Sequence, residues 1–256
     1  MLKKIFLFSV SFLFSVNLFS SDSFKYGLGL SIVSTPSYVG SKKQNTTVVP
    51  FPYIELRSKY INIDKDKIYN EFYNSHRTKI EFSIRGMLPA DSEGTLREGM
   101  KDLDAIVEIG PKLTYNLVTK NLMKIDFEVP VRAAFSIGSN IDYQGLLGSL
   151  DLSYKNIIFN DYKLRFTTGL GFADKKFNNY YYEVTSSNVN ATRSEYHSKS
   201  GYSGFHNTMA ITKKTEHFWY GGFMKHYYLE NTIFEDSPLV ETNSALFYGL
   251  AFSYIF

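Results

Sequence analysis

From Phe24 to the last residue, the chain alternates with a period of two, and the residues on its less apolar side restrict the fold more than any other feature. The terminal segment puts Tyr248, Leu250, Phe252, Tyr254 and Phe256 on one face and Gly249, Ala251 and Ser253 on the other. The first segment repeats this, with Phe24, Tyr26, Leu28, Leu30 and Ile32 opposed to Lys25, Gly27, Gly29 and Ser31. Successive side chains of a strand point to opposite faces, so the pattern reads as half-buried strands. In a soluble sandwich the second face would meet bulk water, where Gly weakens a strand and packs nothing. Inside a barrel, small residues line a crowded interior.

Between the terminal segments, charges replace the small residues. Met123, Ile125, Phe127, Val129 and Val131 oppose Lys124, Asp126, Glu128, Pro130 and Arg132. The same dyad places Lys79, Glu81 and Arg85, then Glu108 and Lys112, then Asp151 and Lys155, then Lys163 and Arg165 on inward faces. Apolar-out, polar-in segments of about ten residues are what a transmembrane β-barrel requires. Lipid offers nothing to satisfy backbone groups, so such a sheet must close. The expected fold is all-β, an antiparallel transmembrane barrel. Its strands fall near 24–35, 46–57, 77–87, 105–116, 121–136, 144–158, 161–173, 201–213, 217–229 and 244–256, with 59–73 left over. Because single-chain bacterial barrels have even strand numbers, 59–73 is split near Asp64–Lys67 to give twelve strands; ten is the alternative if it is irregular. Long connections are expected at 37–45, 88–104, 137–143, 174–200 and 230–243, with short turns between them. Pro130, inside a regular strand, implies a bulge.

The organisation is a leader over 1–20 followed by one barrel domain over 21–256. Lys3 and Lys4 precede an apolar run from Ile5 to Phe19, and Ser20 offers a small residue for cleavage. That run is shorter than the roughly 20 residues a spanning helix needs. Aromatic residues make up 17% of the chain, 20 Tyr and 22 Phe against one Trp, which suits interfacial belts. The absence of cysteine excludes disulfides, thiolate catalysis and a Cys-linked lipid anchor. A formal charge of +3, two of it from Lys3 and Lys4, gives no ground for a nucleic-acid partner.

Several short motifs stand out in order. Gly27 and Gly29 are followed by Pro36, Tyr38, Gly40 and Ser41, then by Pro50-Phe51-Pro52-Tyr53. Gly99 to Ala105 contains Asp102 and Asp104; Ala173-Asp174, Tyr181 and Val184 follow, then Asp236-Ser237-Pro238-Leu239-Val240 and the terminal strand. This series resembles the MipA/OmpV family of outer-membrane proteins along nearly the whole chain. The resemblance implies a non-enzymatic outer-membrane barrel that interacts with a murein transglycosylase and other cell-wall enzymes, as a scaffold for peptidoglycan remodelling. Partners expected with it are outer-membrane lipid and the barrel-insertion machinery, for which Phe252, Tyr254 and Phe256 form the C-terminal signal. No cofactor or metal is implied.

Two other classes fit a barrel of this kind, a passive diffusion channel for small solutes and a barrel-type lipid-modifying enzyme. For the enzyme, His206 is followed by Asn207 and Thr208 where a His/Ser pair would be needed, and no nucleophile elbow occurs. His197, His217 and His226 lack metal-ligand spacing, and the acidic residues of 88–104 read as a solvated loop. For the channel, mixed charges in a narrow barrel must pair or be hydrated. Pairing of Lys124, Glu128 and Arg132 with Glu108 and Lys112, under loops 88–104 and 174–200 folded over the mouth, would close the lumen.

The leader generates the first test. The mature protein should begin at Ser21 or within a few residues of it, read by mass spectrometry of membrane-extracted material. An intact Met1 would reject the cleavage site.

Overall fold

The computed structural model describes residues 21–58, 62–64, 67–69, 71–159 and 161–256; the leader segment 1–20 lies outside them. The strands are β1 (Ser21–Pro36), β2 (Gln44–Pro50), β3 (Tyr53–Ser58), β4 (Asn62–Asp64), β5 (Lys67–Tyr69), β6 (Glu71–Asn74), β7 (Thr78–Met87), β8 (Ala105–Lys120), β9 (Met123–Ile137), β10 (Ile141–Ile158), β11 (Tyr162–Ala173), β12 (Gly201–Lys214), β13 (Phe218–Tyr228) and β14 (Ser244–Ile255). One helix, α1 (Lys175–Tyr182), lies between β11 and β12.

All pairing is antiparallel between chain neighbours, and β1 pairs with β14. The sheet closes because β5 pairs with β4 while β6, one residue further on, pairs with β7. Segments β2 and β3 lie end to end along β1, and β5 and β6 are likewise pieces of one strand, so the barrel has 12 strands. The break between β2 and β3 has a chemical cause in Pro50 and Pro52. Phe51 donates its N–H to Gly29 O at 2.9 Å. Its two neighbours therefore turn their nitrogens to the other edge, where proline leaves no unpaired donor.

The faces follow the alternation. Tyr26, Leu28, Leu30, Ile32, Val131, Leu150, Leu152, Leu170, Tyr248, Leu250 and Phe252 are exposed on the outside, while Asp126, Glu128, Arg132, Asp151 and Ser153 are buried within. Gly27 and Gly29 face inward where β1 crosses β14 closely: a Cβ there would sit 2.1 Å from Tyr254 O and 1.9 Å from Phe252 O. Only glycine permits that approach.

Two expectations are corrected. The connection 137–143 is short, because Ile137 pairs with Ile141 and only three residues turn the chain. Pro130 causes no bulge, since it pairs in register with Lys112; the register shifts beside β9 fall elsewhere, between Asn116 and Val118 of β8 and between Tyr143 and Gly145 of β10. Gly145 has φ +119°, a conformation suited to a bulge. The 59–73 segment divides as expected, with Asp64 opposite Lys67.

Both ends of the barrel's chain and the turns 75–77, 121–122 and 215–217 lie at one end; the loops 37–43, 88–104, 174–200 and 229–243, with the short turn 138–140, lie at the other. Short turns mark the periplasmic end and long loops the outer end. At the periplasmic end Phe256 stacks on Tyr26, ring centroids 5.3 Å apart, and against Tyr254 at 5.1 Å, and its N–H bonds Tyr26 O at 2.9 Å. The residue thus completes the β1–β14 seam. Deleting Phe256 should lower the folded, heat-modifiable fraction on gels; unchanged insertion would count against this role.

Candidate functional site

The barrel holds a charged interior, an outer cap and, toward the periplasmic end, a small apolar cluster of Tyr53, Trp219 and Ile255 on which Phe51 stacks. The interior arises from inward positions on β7 to β12. Glu128 is its hub: its carboxylate lies 2.6 Å from Arg165 Nη2, 2.8 Å from Lys155 Nζ and 3.7 Å from Lys112 Nζ. Lys112 also meets Glu81 at 2.5 Å, and Lys79 meets Glu81 at 3.0 Å. Asp126 takes Lys155 at 2.7 Å. Nearer the outer end Arg132 lies 3.8 Å from Glu108 and donates to Ser83 Oγ at 2.8 and 3.0 Å. Arg85 lines the lumen beside Arg132 and Asp151. Buried carboxylates of this kind hold their charge only with partners in place, since an unpaired buried ion costs several kcal/mol.

Lys124 and Lys163 are different. They line the cavity near its periplasmic end and form no salt bridge among the described residues. Of the pairs anticipated from the sequence, the structure brings together Arg132 with Glu108 and Glu128 with Lys112, and leaves Lys124 apart. His206 is buried, with Nε2 3.2 Å from Asp151 Oδ1. Thr208 and Thr212 follow it along the lumenal face of β12.

The cap is built by the four long loops. Tyr38 donates its hydroxyl to Leu239 O at 2.8 Å, and Tyr182 donates to Val39 O at 2.9 Å. Ser237 Oγ donates to Tyr182 O at 2.9 Å, and the Tyr182 ring stacks on Phe234 at 3.8 Å. Gly40, at φ +99°, offers its carbonyl to the N–H groups of Glu241 (2.8 Å) and Thr242 (3.2 Å). Ser41 closes that turn, its N–H donating to Tyr38 O at 3.0 Å and its hydroxyl accepting from Lys43 N. Pro36 ends β1 just before it. Buried Arg97 reaches Tyr181 O at 2.7 Å, and Arg193 reaches Leu96 O at 2.7 Å and Glu98 O at 3.1 Å.

Asp102 closes loop 88–104 by accepting from Ser92 N at 2.8 Å, while Asp104 pairs with Lys101 at 3.1 Å and its carbonyl accepts from Tyr180. Asp174 starts α1, accepting from Phe177 N and from Leu146 N, each at 2.8 Å, which fastens the helix to β10. Tyr38, Leu103, Ile106, Ala134, Tyr181, Tyr182, Leu229 and Phe234 thereby form one buried cluster across the mouth. Burial pushes the Tyr38, Tyr181 and Tyr182 phenols up, so they stay neutral donors. His197, outside this cluster, is held above its usual range by hydrogen bonds to Glu183 and then Glu195.

The scattered motifs therefore meet in space. Tyr38, Gly40, Ser41, Asp102, Asp104, Ser237 and Pro238 belong to the cap or to the loops forming it, and Asp236 is exposed on its surface. Gly27, Gly29, Pro50 and Pro52 instead shape the β1 seams. Sequence reasoning overlooked α1, Arg97, Arg193 and Phe234. Only Asp174, a helix-capping residue type just past a strand, could have signalled the helix.

Tyr182 generates a test of the cap. Tyr182→Ala removes the stacking and leaves a hole, a change costing about 3–5 kcal/mol in buried aromatic positions. Loop proteolysis should accelerate and steady conductance should appear. Tyr182→Phe loses only one hydrogen bond, about 1 kcal/mol, and should stay closed. Equal behaviour of the two variants would show that Tyr182 does not hold the cap.

A family model described as MltA-interacting protein MipA matches residues 28–256. No curated protein matches the chain. Similar solved structures include the outer membrane protein OprG from Pseudomonas aeruginosa, at 10% identity, covering 91% of this chain and 95% of that one, with a TM-score of 0.30. The NanC porin is similar at 8% identity, covering 90% and 98%, with a TM-score of 0.36. The toluene transporter TbuX from Ralstonia pickettii is similar at 6% identity, covering 91% and 88%, with a TM-score of 0.28.

Proposed function

The chain belongs to the MltA-interacting protein MipA family, and on that premise we propose that it is a closed, non-enzymatic barrel serving as an interaction scaffold for peptidoglycan-remodelling enzymes. Family membership and an apolar outer band on a closed barrel place it in the outer membrane. The family's printed name supplies the class of partner, a murein transglycosylase that works on the cell wall from the periplasmic side.

One observation carries the closed reading: hydrogen bonds from Tyr38, Tyr182, Ser237 and Arg97 knit four loops into one buried cluster over the mouth. A diffusion path would have to cross that cluster and the ion-paired layer below it. The non-enzymatic reading is supported by His206, whose close lumenal partner is Asp151 rather than a nucleophilic hydroxyl.

A second reading, the solute channel, draws on a lumenal cavity of about 720 Å³ lined by charges of both signs. Planar-bilayer recordings separate the two. The scaffold reading expects little or no steady conductance from purified protein, together with cross-linking to a murein transglycosylase in intact envelopes. Large stable openings would promote the channel.

A further inference from the structure

The lower lumen has a shape and charge that its own ion pairs do not use up. Its cavity of about 720 Å³ extends from Leu122 and Lys124, at the periplasmic rim, to Arg132 and His206, under the cap. Along β9 that is eight residues, on the order of 20 Å once strand tilt is counted. The outer end is stopped by the cap cluster. The space is therefore long and stopped at its outer end, and it reaches the exposed Leu122, Lys124 and Lys163 at the periplasmic rim, beside the buried cluster of Tyr53, Trp219 and Ile255.

Its lining holds seven basic and three acidic side chains, and two further carboxylates just outside the lining, Asp126 and Glu108, pair with Lys155 and Arg132. Lys155 sits directly opposite Lys124 on one neighbour and Arg165 on the other, so three cations share one level of three adjacent strands. Like charges placed directly across strands destabilise a sheet. Glu128 and Asp126 neutralise Lys155 and Arg165 from the next level, yet Lys124 and Lys163 have no carboxylate partner among the described residues. The fold is held without these two lysines, which point a net positive field into a space of ligand size.

We propose that this cup binds an extended acidic peptide segment presented from the periplasm, its carboxylates meeting Lys124 and Lys163 at the rim and the deeper cations in turn. Length selects the ligand: cations spaced along a narrow cavity fit an extended chain with several carboxylates better than one compact ion. The proposal rests on the scaffold reading, since it supplies that scaffold with a periplasmic docking point.

The test uses the purified full-length barrel and fluorescein-labelled tetraglutamate, with tetraserine and tetralysine as controls and inorganic phosphate as competitor. Saturable binding of tetraglutamate alone is expected, weakening as salt rises. The double variant Lys124→Glu/Lys163→Glu should bind at least about tenfold more weakly while keeping the heat-modifiable migration of the folded barrel. Equal binding of tetralysine, no binding of tetraglutamate, or binding untouched by the double variant would overturn the cup. Phosphate competing as well as the unlabelled peptide would overturn the peptide assignment, leaving a general anion site. Cross-linking to a murein transglycosylase reports separately: if it persists without peptide binding, the cup fails alone, and if it is lost while peptide binding persists, the scaffold reading fails.

Discussion

Every backbone N–H and C=O at membrane depth must find a partner within the protein, because hydrocarbon supplies none. The rest of this structure follows from that demand. The pairing of β1 with β14 and the passage of the chain from β5 into β6 bring the sheet round on itself. Where an edge is left over, as on β2, the chain uses Pro50 and Pro52, whose nitrogens carry no proton to satisfy. At the β1–β14 seam closure demands glycine, since a Cβ at Gly27 or Gly29 would collide with the facing backbone. Two of the motifs resembling the family's are thus consequences of closing the barrel.

Closure creates the second problem, an enclosed interior that still has to be filled. Most apolar residues go outward to lipid, so the inward residues are mainly small or charged, with Tyr53, Trp219 and Ile255 as an inward apolar cluster. Charges there are stable only in mutual contact, and Glu128 shows how far this is carried, with Arg165, Lys155 and Lys112 all directed at one carboxylate. Such a hub fixes the relative register of β8, β9, β10 and β11 as firmly as the ladder does. Toward the outer mouth the lumen ends at tyrosines and loop backbone, and along the wall of its cavity the cations outnumber the carboxylates.

The fold was readable from the sequence because period two is a local property. Strand faces, the inward charges and even the turn at Asp64–Lys67 could be assigned by looking a few residues either way. The cap could not be read in this way. Tyr38 and Leu239 are 201 residues apart, and Arg97 and Tyr181 are 84 apart; no spacing rule connects them. The resemblance marked Tyr38, Gly40, Asp102 and Ser237 as belonging together, yet their contact is a fact of closure, which brings remote loops to one rim. Pro130 failed for the opposite reason. A missing donor suggested a bulge, but Pro130 keeps register with Lys112, and the register shifts fall at Asn116–Val118 and Tyr143–Gly145, where no proline stands.

The two ends of the barrel are chemically unlike, and this bears on what can interact where. The outer end spends its polar groups on itself: tyrosine hydroxyls and arginine guanidinia are donated to loop carbonyls, and the rings bury one another. A partner arriving there would meet the exposed side chains of the loops, such as Lys175, Lys176 and Asp236, above that satisfied cluster. At the periplasmic end Lys124 and Lys163 carry charge that the fold does not neutralise among its described residues. Both are exposed, so water solvates the charge that no carboxylate meets. The polar groups of the outer loops are thus largely engaged with one another, while these two cations at the other end are left to solvent.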